Sequence, residues 1–163
     1  MNNQPLRQRK FGEYIQDFTA LGNPFLLLLV SFFAIQNIRW ISPAQIWLVL
    51  IGGFLANEFI CSGIKYIWHK PRPNAQTFGD GMEKIDAGSF PSIHAARISF
   101  VYSSLAYLHY TENQGFILPA ICLLVIILVG YSRVFLRRHF AFDVLAGYVF
   151  GFLMSGLVWK WAV

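Results

Sequence analysis

The sequence predicts an all-α integral-membrane bundle of about five transmembrane helices with an N-terminal amphipathic interfacial helix, and three observations carry that prediction. Hydrophobic residues make up 56% of the 163 positions and charged residues only 13%. With a mean hydropathy of +0.49, the chain falls outside the range of an ordinary soluble domain. Five runs are uncharged or nearly so: Asn23 to Ile38, Ala44 to Ile64, Ile98 to Leu108, Asn113 to Ser132 and Val144 to Trp159. With their polar shoulders they approach the roughly 17 to 25 residues that cross a bilayer. Trp40, Trp47, Trp68, Trp159 and Trp161 stand at or near their ends, as interfacial aromatics do.

Taken in order, residues 1–20 form the interfacial segment. Leu6, Phe11, Tyr14, Ile15 and Phe18 recur at roughly helical spacing among Arg7, Arg9, Lys10, Glu13 and Asp17, which suits a helix lying on a membrane surface; a frayed polar tail is the plainer alternative. The first apolar run begins late and has no small-x-small cleavage site after it, so it reads as a retained helix rather than a secretory signal. The second contains a single charge, Glu58.

Residues 65–91 form the one long polar connection, predicted to be the active-site loop. Its stretch from Lys70 to Pro91 carries Pro71, Pro73, Gly79, Gly81 and Gly88, and a connection of about twenty residues in a small fold is functional or disordered. Asp80, Glu83 and Asp86 in it read as solvated rather than as a metal site. Span three starts near Ser92 and span four ends at Ser132. A charged dodecapeptide, Ser132 to Asp143, then precedes span five. Cys61 and Cys122 lie inside apolar runs without metal or redox spacing and read as packing residues. Neither an internal repeat nor a second domain is visible, so residues 1–163 are expected to be one transmembrane domain.

Alternating the five spans through a bilayer brings three segments to one face: Lys65 to Pro73, Pro91 to His94, and Ser132 to Asp143. Lys65, Arg72 and Arg133 then gather there, and such a cluster repels itself unless an anion sits among the charges. Phosphate fits, because Arg grips it with a rigid fork and Lys as a point charge. Ser92 suits the N-cap of span three, which turns the free N–H groups of Ile93 and His94 toward the same face, where helix starts attract anions. Ser92 can cap that helix or bind the anion; the sequence does not choose. His139 and Asp143 share a face if the helix is continuous, and an Asp so placed can hold one imidazole nitrogen and free the other to attack. Glu58 in span two and Arg97 in span three are ionisable groups within the bilayer, which are costly unless paired. A Glu58 to Arg97 ion pair is therefore expected as structural support, with Glu58 as a counter-charge to Lys65 the alternative.

Lys65-x6-Arg72-Pro73, Pro91-Ser92-x-His94 and Ser132-Arg133-x5-His139-x3-Asp143 resemble the three signature motifs of the type 2 phosphatidic acid phosphatase superfamily, whose core is shared with vanadium haloperoxidases. The resemblance implies that His139 attacks phosphorus and becomes a phosphohistidine, steadied by Asp143. It implies that His94 protonates the departing lipid alkoxide and later activates water. Lys65, Arg72, Ser92, Ile93 and Arg133 would hold the phosphate oxygens, with no metal and no cofactor. The family usually has Gly where this chain has Ile93. A β-branched residue tolerates positive φ poorly, so a loop requiring it there would lose activity.

The implied function is that of a membrane lipid phosphatase acting on a phosphate monoester or diphosphate, with the bilayer itself as partner and no nucleic acid. A lipid phosphotransferase sharing the phosphohistidine, or a non-catalytic lipid-phosphate binder, are the alternatives. Arg7, Arg9, Lys10, Lys70, Lys84, Arg137 and Arg138 lie on the face of the site, against Arg39 and Lys160 opposite. The positive-inside rule thus puts the site in the cytoplasm, in a prokaryotic plasma (inner) membrane, whereas the family commonly has six spans and an external site. A cytoplasmic site suits phosphatidylglycerophosphate, phosphatidate or a polyprenyl-phosphate sugar phosphate. An external one suits polyprenyl diphosphate.

Overall fold

The computed structural model describes residues 21–73, 87–112 and 115–163; the expected interfacial helix and most of the 74–88 stretch lie outside them. Among the described residues there are five α-helices: α1 Pro24–Ala34, continued by a 3-10 turn Ile35–Asn37, α2 Pro43–Ile67, α3 Ile93–Thr111, α4 Ile117–Phe135 and α5 Ala141–Ala162. No strand occurs among the described residues, and a single antiparallel bridge joins Pro71 to Gly88. The chain is an all-α integral-membrane bundle.

Local chemistry starts most of these helices. Asn23 accepts from the Phe25 N–H at 2.9 Å and is followed by Pro24. Ser42 accepts from Gln45 at 3.2 Å and is followed by Pro43. In both, a capping oxygen satisfies a first-turn N–H and proline pre-sets φ. Ser92 caps α3 through the Ala95 N–H at 3.4 Å.

Helices α2, α4 and α5 are each long and apolar enough to cross a membrane, while α1 with its 3-10 turn is shorter. α3 falls short on hydropathy for a physical reason: it is the centre of the bundle. Its Ala95, Ala96, Ile98, Ser99, Phe100 and Leu105 are buried, packed most extensively on α5 and then on α4 and α2. Screened by neighbours from lipid, it tolerates serines that a lipid-facing helix would not. Phe25, Phe59, Ile67 and Trp161 are more than four-fifths exposed on the outer surface, as lipid-facing side chains are.

Gly147 and Gly151 make the α3–α5 seam possible. A Cβ on Gly147 would lie 2.5 Å from the Ser92 carbonyl oxygen, and one on Gly151 would lie 2.3 Å from that of Ala96. Two glycines four apart let the backbones close to this distance. Ser104 and Ser155 bridge the same seam by a hydroxyl pair at 2.9 Å. The C-terminus of α2, the N-terminus of α3, the C-terminus of α4 and the N-terminus of α5 therefore meet at one end. At the other end His109 bonds the Ala34 carbonyl at 2.7 Å, and Glu112 accepts from the Arg39 N–H at 3.1 Å.

Candidate active site

Each segment that carries a charged motif residue is delivered to this shared end by a helix terminus. Lys65 lies in the last turn of α2 and is only 2% exposed; its Nζ donates to the Gly88 carbonyl at 2.7 Å. Arg72 Nε donates to the same oxygen at 3.4 Å. Gly88 thus gathers two cations from opposite ends of the motif onto one acceptor. The Ser89 N–H to Lys70 carbonyl bond, 2.7 Å, ties residues 70 and 89 together beside the Pro71–Gly88 bridge.

The end of α4 places Arg133 and His139. Arg137, at φ 53°, turns the chain in the left-handed region. Its N–H reaches the Val134 carbonyl at 2.9 Å and the Arg138 N–H reaches that of Arg133 at 3.1 Å, the pair of bonds that closes a helix C-terminus in the Schellman arrangement. The His139 N–H also returns to the Arg133 carbonyl at 3.3 Å. Phe140 is then the extended N-cap of α5, φ −76° and ψ 155°.

That break corrects the expected role of Asp143. His139 precedes the N-cap, so it and Asp143 do not share a continuous helix, and the carboxylate does not hold the imidazole. His139 Nδ1 is instead 2.7 Å from the Ser89 carbonyl oxygen. A carbonyl only accepts, so Nδ1 carries the proton and Nε2 keeps its lone pair. Asp143, fully buried, takes Lys70 Nζ on Oδ1 at 2.6 Å. Its Oδ2 accepts from the Ser89 hydroxyl and from the Phe140 N–H at 3.0 Å. Asp143 therefore reaches His139 only through Ser89, whose hydroxyl it holds and whose carbonyl holds the ring.

Burial first, and then the positive charges of Lys65 and Arg133, push the His139 imidazole down to about 3, against the opposing Ser89 hydrogen bond and with a further lowering from Arg72. The ring is neutral across the physiological range. His94 stands in the first turn of α3, within Coulombic range of Arg133, Arg97, His139 and Lys65. Ile93 is the first residue of α3, and Arg137 is the one non-glycine with positive φ among the described residues. The isoleucine therefore occupies a position that demands no special backbone. Ser92 is fully buried as the cap, and its N–H donates to the Asp143 carbonyl at 3.0 Å. Arg97 and Glu58 are bonded side by side, Nη2 to Oε2 at 2.6 Å and Nε to Oε1.

Lys70, Gly88 and Ser89 were not among the residues the motifs single out. Lys70 shows in sequence only as a basic residue. Gly88 and Ser89 meet Lys65, Arg72 and His139 through main-chain oxygens, which leave no side-chain signature.

A family model described as the PAP2 superfamily matches residues 46–163. A curated relative, "Phosphatidylglycerophosphatase B" of Bacillus subtilis strain 168, is 37% identical over 75 residues. That match spans 43% of this chain and 37% of the relative. Among solved structures, a transmembrane PAP2-type phosphatidylglycerolphosphate phosphatase from Bacillus subtilis superposes with TM-score 0.76 at 25% identity, covering 98% of this chain and 78% of the other. Aquifex aeolicus LpxE superposes with TM-score 0.70 at 20% identity, covering 97% and 88%, and shares the fold.

Proposed function

Given that the chain belongs to the PAP2 superfamily, we propose that it is a membrane lipid phosphatase working through a phosphohistidine at His139. The observation that carries this reading is the His139 to Ser89 hydrogen bond, which leaves a neutral, buried Nε2 beside Lys65 and Arg133. Nε2 attacks phosphorus, the bond from phosphorus to the lipid oxygen breaks, and His94 gives its proton to the departing alkoxide. His94 then takes a proton from water, the resulting hydroxide attacks the phosphohistidine, and inorganic phosphate leaves with Nε2 restored. Lys65, Arg72, Arg133 and the N–H groups at the start of α3 hold the three remaining oxygens as charge redistributes.

Phosphatidylglycerophosphate is the favoured substrate, supported by the names of the curated relative and of the solved Bacillus structure. The distribution of basic residues supports a cytoplasmic site, the bacterial relatives support a prokaryotic plasma membrane, and the family match over residues 46–163 supports residues 1–163 as one domain.

The test is phosphate release by purified protein in detergent from phosphatidylglycerophosphate, phosphatidate and farnesyl diphosphate. Release from the first is expected to be fastest and to vanish in His139→Ala. His94→Ala is expected to lose about 100- to 10,000-fold in kcat, the usual worth of acid–base catalysis. Undiminished release by His139→Ala would overturn the mechanism. Phosphate passed to an added lipid alcohol instead of water would make the protein a phosphotransferase.

A further inference from the structure

Well below the site, α1, α2 and α3 enclose a second feature that the mechanism does not use. It is a cavity of about 210 Å³ lined by Leu27, Leu50, Ile51, Phe54, Leu55 and Val101, among others. The one hydroxyl in its wall, Ser31, is turned back onto the Leu27 carbonyl at 2.8 Å. The cavity therefore offers hydrocarbon and nothing else. We infer that it receives the distal half of a hydrocarbon chain of the substrate lipid and makes the enzyme selective for long chains. This rests on the lipid-phosphatase reading above.

Depth is the first support. Phe54 and Leu50 precede Lys65 by eleven and fifteen residues of one helix, which at 1.5 Å per residue puts them roughly 16 and 22 Å below it. Half of the roughly 30 Å hydrocarbon layer is about 15 Å, so with Lys65 at the interface the cavity lies near the bilayer midplane. A long chain anchored by its phosphate reaches that level and a short one stops above it.

Continuity is the second. On α2 the positions 65, 62, 58, 54 and 51 recur at helical spacing and share a face; on α3 the positions 94, 97 and 101 do the same. These two stripes run together from the site to the cavity. Midway, Arg97 is bonded to Glu58 and its guanidinium carbon stands 5.9 Å from the centre of the Phe54 ring, a wall of the cavity itself. The Glu58–Arg97 pair thus stands on the two stripes between His94 and the cavity. Leu28 and Leu55, about half exposed, border the cavity's opening to the surrounding lipid.

The experiment compares dioctanoyl and dipalmitoyl phosphatidylglycerophosphate at fixed mole fraction in detergent micelles. Leu28→Trp and Leu55→Trp, which fill the cavity from its exposed rim, are expected to lower kcat/KM for the dipalmitoyl lipid at least tenfold. The dioctanoyl value, which also reports folding, is expected to stay within twofold. Leu28→Ala/Leu55→Ala is expected to raise KM for the long chain alone. Equal losses on both lipids, or none on either, overturn the inference and leave a crevice filled by bulk lipid. A wild type that hydrolyses neither of these lipids, nor phosphatidate or farnesyl diphosphate, overturns the lipid-phosphatase reading instead.

Discussion

The imidazole of His139 is held by the main-chain carbonyl of Ser89, with Nδ1 2.7 Å from the oxygen. Asp143, four residues on, is engaged by Lys70, the Ser89 hydroxyl and the Phe140 N–H. Orientation of the proposed nucleophile therefore passes through a backbone segment that a buried carboxylate and a lysine pin in place.

Lys70→Met tests that chain. It leaves the Asp143 carboxylate buried without its cation, which in a fully buried pair costs about 3–5 kcal/mol. Lys70 is 33% exposed, so solvent screening reduces the expected loss to about 1–2 kcal/mol. Because Lys70 bonds Asp143 rather than an expected phosphate ligand, kcat is expected to fall about tenfold with KM nearly unchanged, and Lys70→Arg to restore most of it. Steady-state kinetics and a thermal melt check this; a rise in KM alone would place Lys70 on the substrate.

Stability is expected to fall as pH drops from 6.5 toward 3. The folded His139 is held down to about 3, whereas in the unfolded chain it titrates near 6.5. Between those values the unfolded chain binds the extra proton, so acid favours unfolding, by at most about 1.4 kcal/mol per pH unit for one group. Melting temperatures of wild type and His139→Ala between pH 7.5 and 4.5 check this, and the variant is expected to have the shallower slope.

Gly151→Ala is expected to lower stability by about 1–3 kcal/mol, the usual cost of overpacking, because the added Cβ meets the Ala96 carbonyl at 2.3 Å. Gly147→Val has the same fault beside the Ser92 carbonyl and is expected to cost activity as well, since Ser92 starts the helix that carries His94. Melting temperature and kcat separate the two effects.

Arg137→Gly is expected to raise stability by up to about 1 kcal/mol, because glycine takes the left-handed conformation without the Cβ penalty. Arg137→Val is expected to lower it. Melts of the two variants under identical conditions check the sign.

A single cysteine at position 76, with Cys61 and Cys122, both buried, replaced by alanine, is expected to resist an impermeant thiol reagent in intact cells and react after lysis. Labelling from outside would place the site on the external face.

Much of this architecture is legible in the chain. The five apolar runs announce helices and Ser92 the start of one of them, because span length and capping depend on neighbouring residues alone. The convergence of Lys65, Arg72, Ser92, Arg133 and His139 at one end follows from alternating helices. The Glu58 to Arg97 pair follows from the cost of a lone charge in a bilayer. What sequence reading misplaced was the partner of His139, since it assumed an unbroken helix where Phe140 is an extended cap.

Sequence by itself determined which side chains reach the shared end of the bundle, because helical rise and hydrophobic length are local properties. Only the tertiary structure decided which atoms meet there. The acceptors for Lys65, Arg72 and His139 are the carbonyls of Gly88 and Ser89, and every residue carries a carbonyl. The choice among them falls to the packing of α3 against α5 and to the Lys70–Asp143–Ser89 bonds.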